Sequence, residues 1–202
     1  MGAAAAPTPG RGAHYDRPMV DRLHFTESDE ANELLVRDPL ALLIGFALDQ
    51  QVTVQKAFEG PLVLRERAGT LDAAALAAMD LEPIFRQRPA IHRFPGAMAT
   101  RVRDLAVHIA ERYDGDAGRV WGDASSPEEL RERLNALPGF GAMKVGSLAA
   151  VLSRRFGVAA AEPLAPGHPT LGDVDSPEAL AEYQAGKRAH KAALRAARAA
   201  TG

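Results

Sequence analysis

Leu134-Asn135-Ala136-Leu137-Pro138-Gly139-Phe140-Gly141-Ala142-Met143-Lys144 is the stretch on which the reading of this chain turns. A helical apolar pattern runs up to it and another leaves it, with a proline and two alternate glycines between. Glycine takes positive φ at little cost and presents no side chain to an approaching group. The pair therefore predicts a tight hairpin between two helices, with both glycines turning the backbone through positive φ. The amides of the hairpin and of the next helix start would point outward together as an anion site, helped by the helix dipole. Lys144 adds a cation in that first turn, where the dipole slightly disfavours one, so the position suits an anionic partner better than it suits stability. The plain alternative, a connection that meets no ligand, is about as good a reading for a bare Leu-Pro-Gly-x-Gly.

Outward from the hairpin, helical spacing dominates. Pro39-Leu40-Ala41-Leu42-Leu43-Ile44-Gly45-Phe46-Ala47-Leu48 is apolar nearly all round and predicts a central buried helix, with Asp38 as N-cap and Pro39 at the first helical position. A second helix can follow Thr53, interrupted at Gly60-Pro61. Alanine-rich helical stretches cover 71–79 and 83–87, and Met98, Val102, Leu105 and Ile109 set a helical period over 96–113. Ser126-Pro127-Glu128-Glu129 reads as a capping box opening the helix that enters the hairpin. The helix leaving it spans 142–156, residues 158–174 read as loop, and Ser176-Pro177 opens a last helix. No segment alternates as a strand would, and no internal repeat is visible. The predicted fold class is all-α.

The 202 residues fit one domain with tails, and a 47% hydrophobic, 25% charged composition is that of an ordinary globule. The predicted organisation is a disordered leader over 1–20, a main domain over 21–182 and a basic C-terminal helix or tail over 183–202. No cysteine is present, which excludes a disulfide framework, a thiolate zinc site and a cysteine-held iron–sulfur cluster. His24, His92, His108 and His168 show no metal-ligand spacing, so no metal site is expected. No apolar run approaches the ~20 residues that span a bilayer, and a cytoplasmic location is expected. Net charge is −2, so a polyanion partner would need positive charge concentrated locally. Lys187 and Arg188 begin such a concentration in the tail.

Three segments in order resemble the helix-hairpin-helix superfamily of base-excision DNA glycosylases, which includes endonuclease III and the alkyladenine glycosylases. They are Leu48-Asp49-Gln50-Gln51-Val52-Thr53, the helix around 99–109 with Tyr113-Asp114-Gly115-Asp116 after it, and the hairpin itself. The resemblance covers roughly residues 38–157. It implies two helical subdomains flanking a DNA-binding cleft, double-stranded DNA as partner, a monomer, and removal of a damaged or mismatched base by hydrolysis of its N-glycosidic bond. It implies that Gln51, or its neighbour Gln50, fills the gap left by a flipped nucleotide, since the bond cannot be attacked inside the stack. Leu137, Gly139, Phe140, Gly141, Met143 and Lys144 would meet the DNA with them. It leaves room for a monovalent cation on the hairpin carbonyls; no other cofactor is expected.

The catalytic pattern of the family is incomplete here. Its lyase members carry a lysine two residues after the second hairpin glycine, where this chain has Met143. Lys144 lies one step on, rotated ~100°, which predicts a phosphate contact for it and no Schiff-base chemistry. The family aspartate, beyond the second hairpin helix, has no clear counterpart. Glu162, Asp173 (with Asp175 beside it) and Asp49 are the candidate catalytic acids. A lesion- or structure-binding protein without catalysis, and a helical interaction module in which the hairpin is only a turn, are the alternative functions.

Overall fold

The computed structural model describes residues 20–200, so the leader expected over 1–20 lies, but for Val20, outside the described residues. Every regular element of the described chain is a helix: α1 (Asp29–Arg37), α2 (Pro39–Leu48), α3 (Val54–Ala68), α4 (Ala73–Ala78), α5 (Glu82–Arg86), α6 (Pro95–Tyr113), α7 (Arg119–Gly122), α8 (Pro127–Ala136), α9 (Ala142–Phe156) and α10 (Pro177–Ala200). The all-α expectation holds. None of these helices is long and apolar enough to cross a membrane.

The centre is α2. The Asp38 carboxylate accepts from the amides of Leu40 and Ala41, Pro39 opens the helix, and every residue from Leu40 to Leu48 is buried. A helix without a polar face has to be covered on all sides; α1, α3 and α6 all pack on it. The Phe58 ring of α3 meets Phe46 edge-on at 5.1 Å and Phe25 at 4.9 Å. The buried side chains form one continuous cluster that includes Leu23 at one end of the chain and Leu180 at the other.

At Gly60-Pro61 the expected interruption is absent, and α3 runs through it unbroken. Pro61 forfeits one intrahelical hydrogen bond, but both residues are buried. Gly60 lets α2 approach so closely that an added Cβ would sit 2.5 Å from Leu48 Cδ1. Tertiary packing on the most apolar helix of the chain outweighs the local break. The capping box at α8 is also modified: Ser126 Oγ accepts from the Glu129 amide, but Glu129 reaches back to the amide and hydroxyl of Ser125.

Two short 3-10 turns, Ala159–Leu164 and Leu171–Asp173, lie in the region expected to be loop, and both pack on α9. Helix α10 follows without a break, so the boundary expected at 182/183 falls inside it. Its first half is tied to the body, with Gln184 Nε2 donating to Gln55 Oε1 at 2.7 Å.

The glycines of the C-terminal half give a direct test. A Cβ at Gly172 would meet the backbone carbonyl carbon of Ala150 at 2.6 Å, and backbone cannot swing aside; one at Gly186 meets nothing within 4 Å. Gly172→Ala should destabilise the fold by about 1–3 kcal/mol. Gly186→Ala, within α10, should be neutral or stabilise by up to ~1 kcal/mol through helix propensity. Urea midpoints of the two variants compare them directly, and equal midpoints would contradict the packing described.

Candidate functional site

The connection between α8 and α9 is a type II turn. Leu137 leaves α8 in an extended conformation, Pro138 takes the second position and Gly139 the third at φ +82°, and the Phe140 amide donates to the Leu137 carbonyl at 3.1 Å. Leu137 and Phe140 turn their side chains into the core, with 2% and 7% of their surface exposed. They anchor the turn, so what it offers to a ligand at these residues is backbone.

Only the first glycine has the conformation expected of both. Gly141 is extended at φ −95° and serves as N-cap of α9 without a side-chain cap. Its residue type matters for access instead, because a Cβ there meets no protein atom within 4 Å. The first intrahelical bond of α9 is Val145 N–H to Gly141 O. The amides of Ala142, Met143 and Lys144 therefore lie ahead of the helical ladder, on an exposed surface at Gly141, Ala142 and Met143.

Lys144 does not take the outward position expected of it. Its Nζ donates to the Ala47 carbonyl at the C-terminal end of α2, at 3.1 Å, and sits 5.9 Å from the centre of the Phe140 ring. The last carbonyls of a helix carry its negative end, and this buried end draws the amine inward. Burial first, and nearby Arg101 second, lower its pKa to about 8 against the opposing pull of Asp49. Met143 takes the outward place, 90% exposed.

Beyond α2 the chain turns sharply. The Gln50 amide donates to the Leu48 carbonyl at 2.7 Å around Asp49, and Gln51 adopts φ +58°. A left-handed glutamine is uncommon and is a pointer to function. Gln50 and Gln51 are both exposed. Two contacts hold this turn. His92 Nε2 donates to the Gln50 carbonyl at 3.0 Å while His92 Nδ1 accepts from the Phe94 amide at 3.1 Å. Both ring nitrogens are thus engaged in the neutral tautomer, and burial lowers the imidazole pKa in the same sense. The second contact is Arg101, whose Nη1 donates to Gln50 Oε1.

Arg101 also joins the two turns. Its stem lies against Gly139, where an added Cβ would come within 2.7 Å of Arg101 Cδ. The Gln50–Gln51 turn, the Leu137–Gly141 turn and Lys144 therefore form one site. Arg101 was not legible as part of it, being a single polar residue on an otherwise ordinary helix.

Of the candidate acids, Asp49 alone belongs to this site. Burial pushes its carboxyl pKa up, with Lys187 and Lys144 opposing. Lys187 comes from α10, its amine 5.3 Å from the centre of the Tyr183 ring. Arg188 is exposed; the later tail cations Lys191, Arg195 and Arg198 lie outside the described side chains. Glu162 is exposed on the first 3-10 turn. Asp173 is taken up structurally, accepting from the Thr170 amide at 2.7 Å and hydroxyl at 3.1 Å and pairing with Arg154. Burial works against its charge, but these partners together hold the carboxyl below its ordinary pKa. Asp175 is exposed.

The electrostatics can be measured at one nucleus. The Cε resonance of Lys144 should titrate with a midpoint of about 8. Asp49→Asn removes the anion that raises it and should lower the midpoint; Arg101→Gln removes a like charge and should raise it. A wild-type midpoint near the ordinary lysine value of about 10.4 would show the amine to be solvated.

Compared with family models, curated proteins and solved structures, the chain has no match, and its functional reading rests on these residues.

Proposed function

We propose that this chain is a DNA glycosylase of helix-hairpin-helix type that removes a damaged or mismatched base from double-stranded DNA, working as a monomer. One observation carries the reading: the Gln50–Gln51 turn and the α8–α9 turn, far apart in sequence, are joined by Arg101, with Lys144 and Asp49 beside them. A nucleotide-flipping enzyme needs a backbone grip, a side chain to fill the vacated stack and acid–base chemistry within one nucleotide's reach. Here the uncapped amides of α9 supply the grip, and Gln50 and Gln51 the polar filler. Phe94 and Met143 are the two large apolar side chains left exposed among the described residues, and each adjoins a residue of the site in the chain or through its backbone amide. Exposed apolar residues on a DNA-facing surface suit insertion between base steps.

Asp49 is the carboxylate assigned to the chemistry. It stands against the positive charge that develops on the sugar as the base leaves, and it can take the proton of the attacking water. A second reading assigns the attack to Lys144. With a pKa of about 8, about a tenth of its amine is unprotonated at pH 7, and a desolvated lysine is an activated nucleophile. Amine attack on the sugar carbon leads to a Schiff base and strand scission, reversing the expectation drawn from the hairpin spacing.

A panel of single-lesion duplexes separates these readings. Scission only after alkali means hydrolysis through Asp49, while scission without alkali, with a borohydride-trapped adduct lost in Lys144→Ala, means amine attack. Asp49→Asn should reduce base removal by at least ~10²-fold and leave binding in place. Gly141→Ala is the sharper test of the grip, because the position is open and extended. It should fold normally and weaken binding to every duplex sequence alike. Unchanged affinity in that variant would remove the α9 amides from the interface, and wild-type binding without base removal on any lesion would leave a lesion-binding protein.

A further inference from the structure

Among the described residues, most half-buried arginines have a carboxylate or several carbonyls as acceptors, and Arg155 and Arg101 have the fewest. Arg65 pairs with Glu30, Arg119 with Asp114 and Asp123, and Arg133 with Glu129. Arg67 donates to three backbone carbonyls and Arg155 to the Gly172 carbonyl. Arg101 has only the Gln50 side-chain amide and, at 4.0 Å, the Met98 sulfur. No carboxylate lies within ion-pair distance of it among the described residues. Its surroundings are cationic, with Lys144 close enough to feel its charge. A guanidinium presents five donors in a rigid fork, and one amide oxygen and one thioether leave most of them without a protein acceptor. In a chain of net charge −2, this is the local concentration of positive charge that a polyanion partner requires.

We propose that Arg101 is a phosphate ligand, holding the phosphodiester next to the extruded nucleotide between the Gln50 turn and the Gly139 turn. The placement follows from its two neighbours. The stem lies on Gly139, two residues before the uncapped start of α9, and the head bonds the side chain assigned to the vacated stack. A phosphate there receives a forked pair of charged hydrogen bonds while Gln50 stays aimed by the same guanidinium. Arg101 is thus a binding and positioning residue, and the inference rests on the DNA reading above.

The test uses the full chain and two sources of phosphate. A duplex carrying a stable abasic analogue, and its intact counterpart, are titrated at about 50 to 200 mM salt against wild type, Arg101→Gln and Arg101→Lys. Arg101→Gln should lose about ten- to hundredfold in affinity for the analogue duplex and flatten the dependence of log K on log salt by about 0.9. The loss on the intact duplex should be smaller. Arg101→Lys should keep the salt slope and recover only part of the affinity, because an ammonium lacks the fork. A purely structural role would lower affinity without changing the slope. A folded Arg101→Gln with the wild-type slope, on a duplex that wild type binds, overturns the proposal.

The second arm needs no variant. The Arg101 Nε–H resonance of wild type is followed with added inorganic phosphate and with chloride at equal ionic strength. A shift with phosphate alone is expected. If wild type binds no duplex yet shows that shift, the DNA reading fails and the phosphate site stands for a free phosphate. If it shows neither, both fall.

Discussion

Nine consecutive residues of α2, Leu40 to Leu48, are buried on every side, and a helix of that kind imposes two demands on everything around it. Its flanks must be covered, which fixes α1, α3 and α6 against it and forces α3 to stay helical through Gly60-Pro61. Its ends must also be satisfied, because the last carbonyls of a helix have no partner within it. At the N-terminus Asp38 does this locally. At the C-terminus the Asp49 and Gln50 amides take the Gly45, Phe46 and Leu48 carbonyls, and Lys144 reaches across from α9 to the Ala47 carbonyl left over. The candidate site is thus built on the C-terminal end of the central helix, at the carbonyl that no local amide takes.

That origin explains the chemistry of the site. A lysine drawn toward a buried helix end loses hydration, and the loss makes its amine easier to deprotonate. The same burial makes Asp49 harder to ionise. An acid with a raised pKa and an amine with a lowered one, held beside each other, form the kind of divergent pair that acid–base and nucleophilic chemistry uses. Neither has a direct ion-pair partner among the described residues. Asp173 shows the contrast: bonded to Thr170 and Arg154, it has its charge fully engaged in structure.

Glycines divide in the same way between architecture and access. Gly45, Gly60 and Gly172 exist because neighbours fill the space a Cβ would need. Gly139 is required by its left-handed backbone, and Arg101 then uses the vacant face. Gly141 satisfies neither description, being extended and open. With no Cβ at this position, the exposed start of α9 is left open.

The helices were legible in the sequence because their signals are local. Periodic apolar positions, Asp38 with Pro39, Ser126 with Pro127 and Ser176 with Pro177 all act within four residues, and so does the Pro138-Gly139 turn. Where expectation failed, the deciding contact was remote. Gly60-Pro61 stays helical because of Leu48, and Gly172 is pressed on Ala150. Lys144 points inward because Ala47, 97 residues away, offers a carbonyl at a buried helix end. Arg101 joins the site through Gln50, 51 residues before it. By itself the sequence determined an all-α chain, its helix starts and the Pro138-Gly139 turn. Tertiary structure alone decided which side chains that turn shares with the Gln50–Gln51 turn, since burial and the direction of a long cationic side chain depend on neighbours that no local pattern specifies.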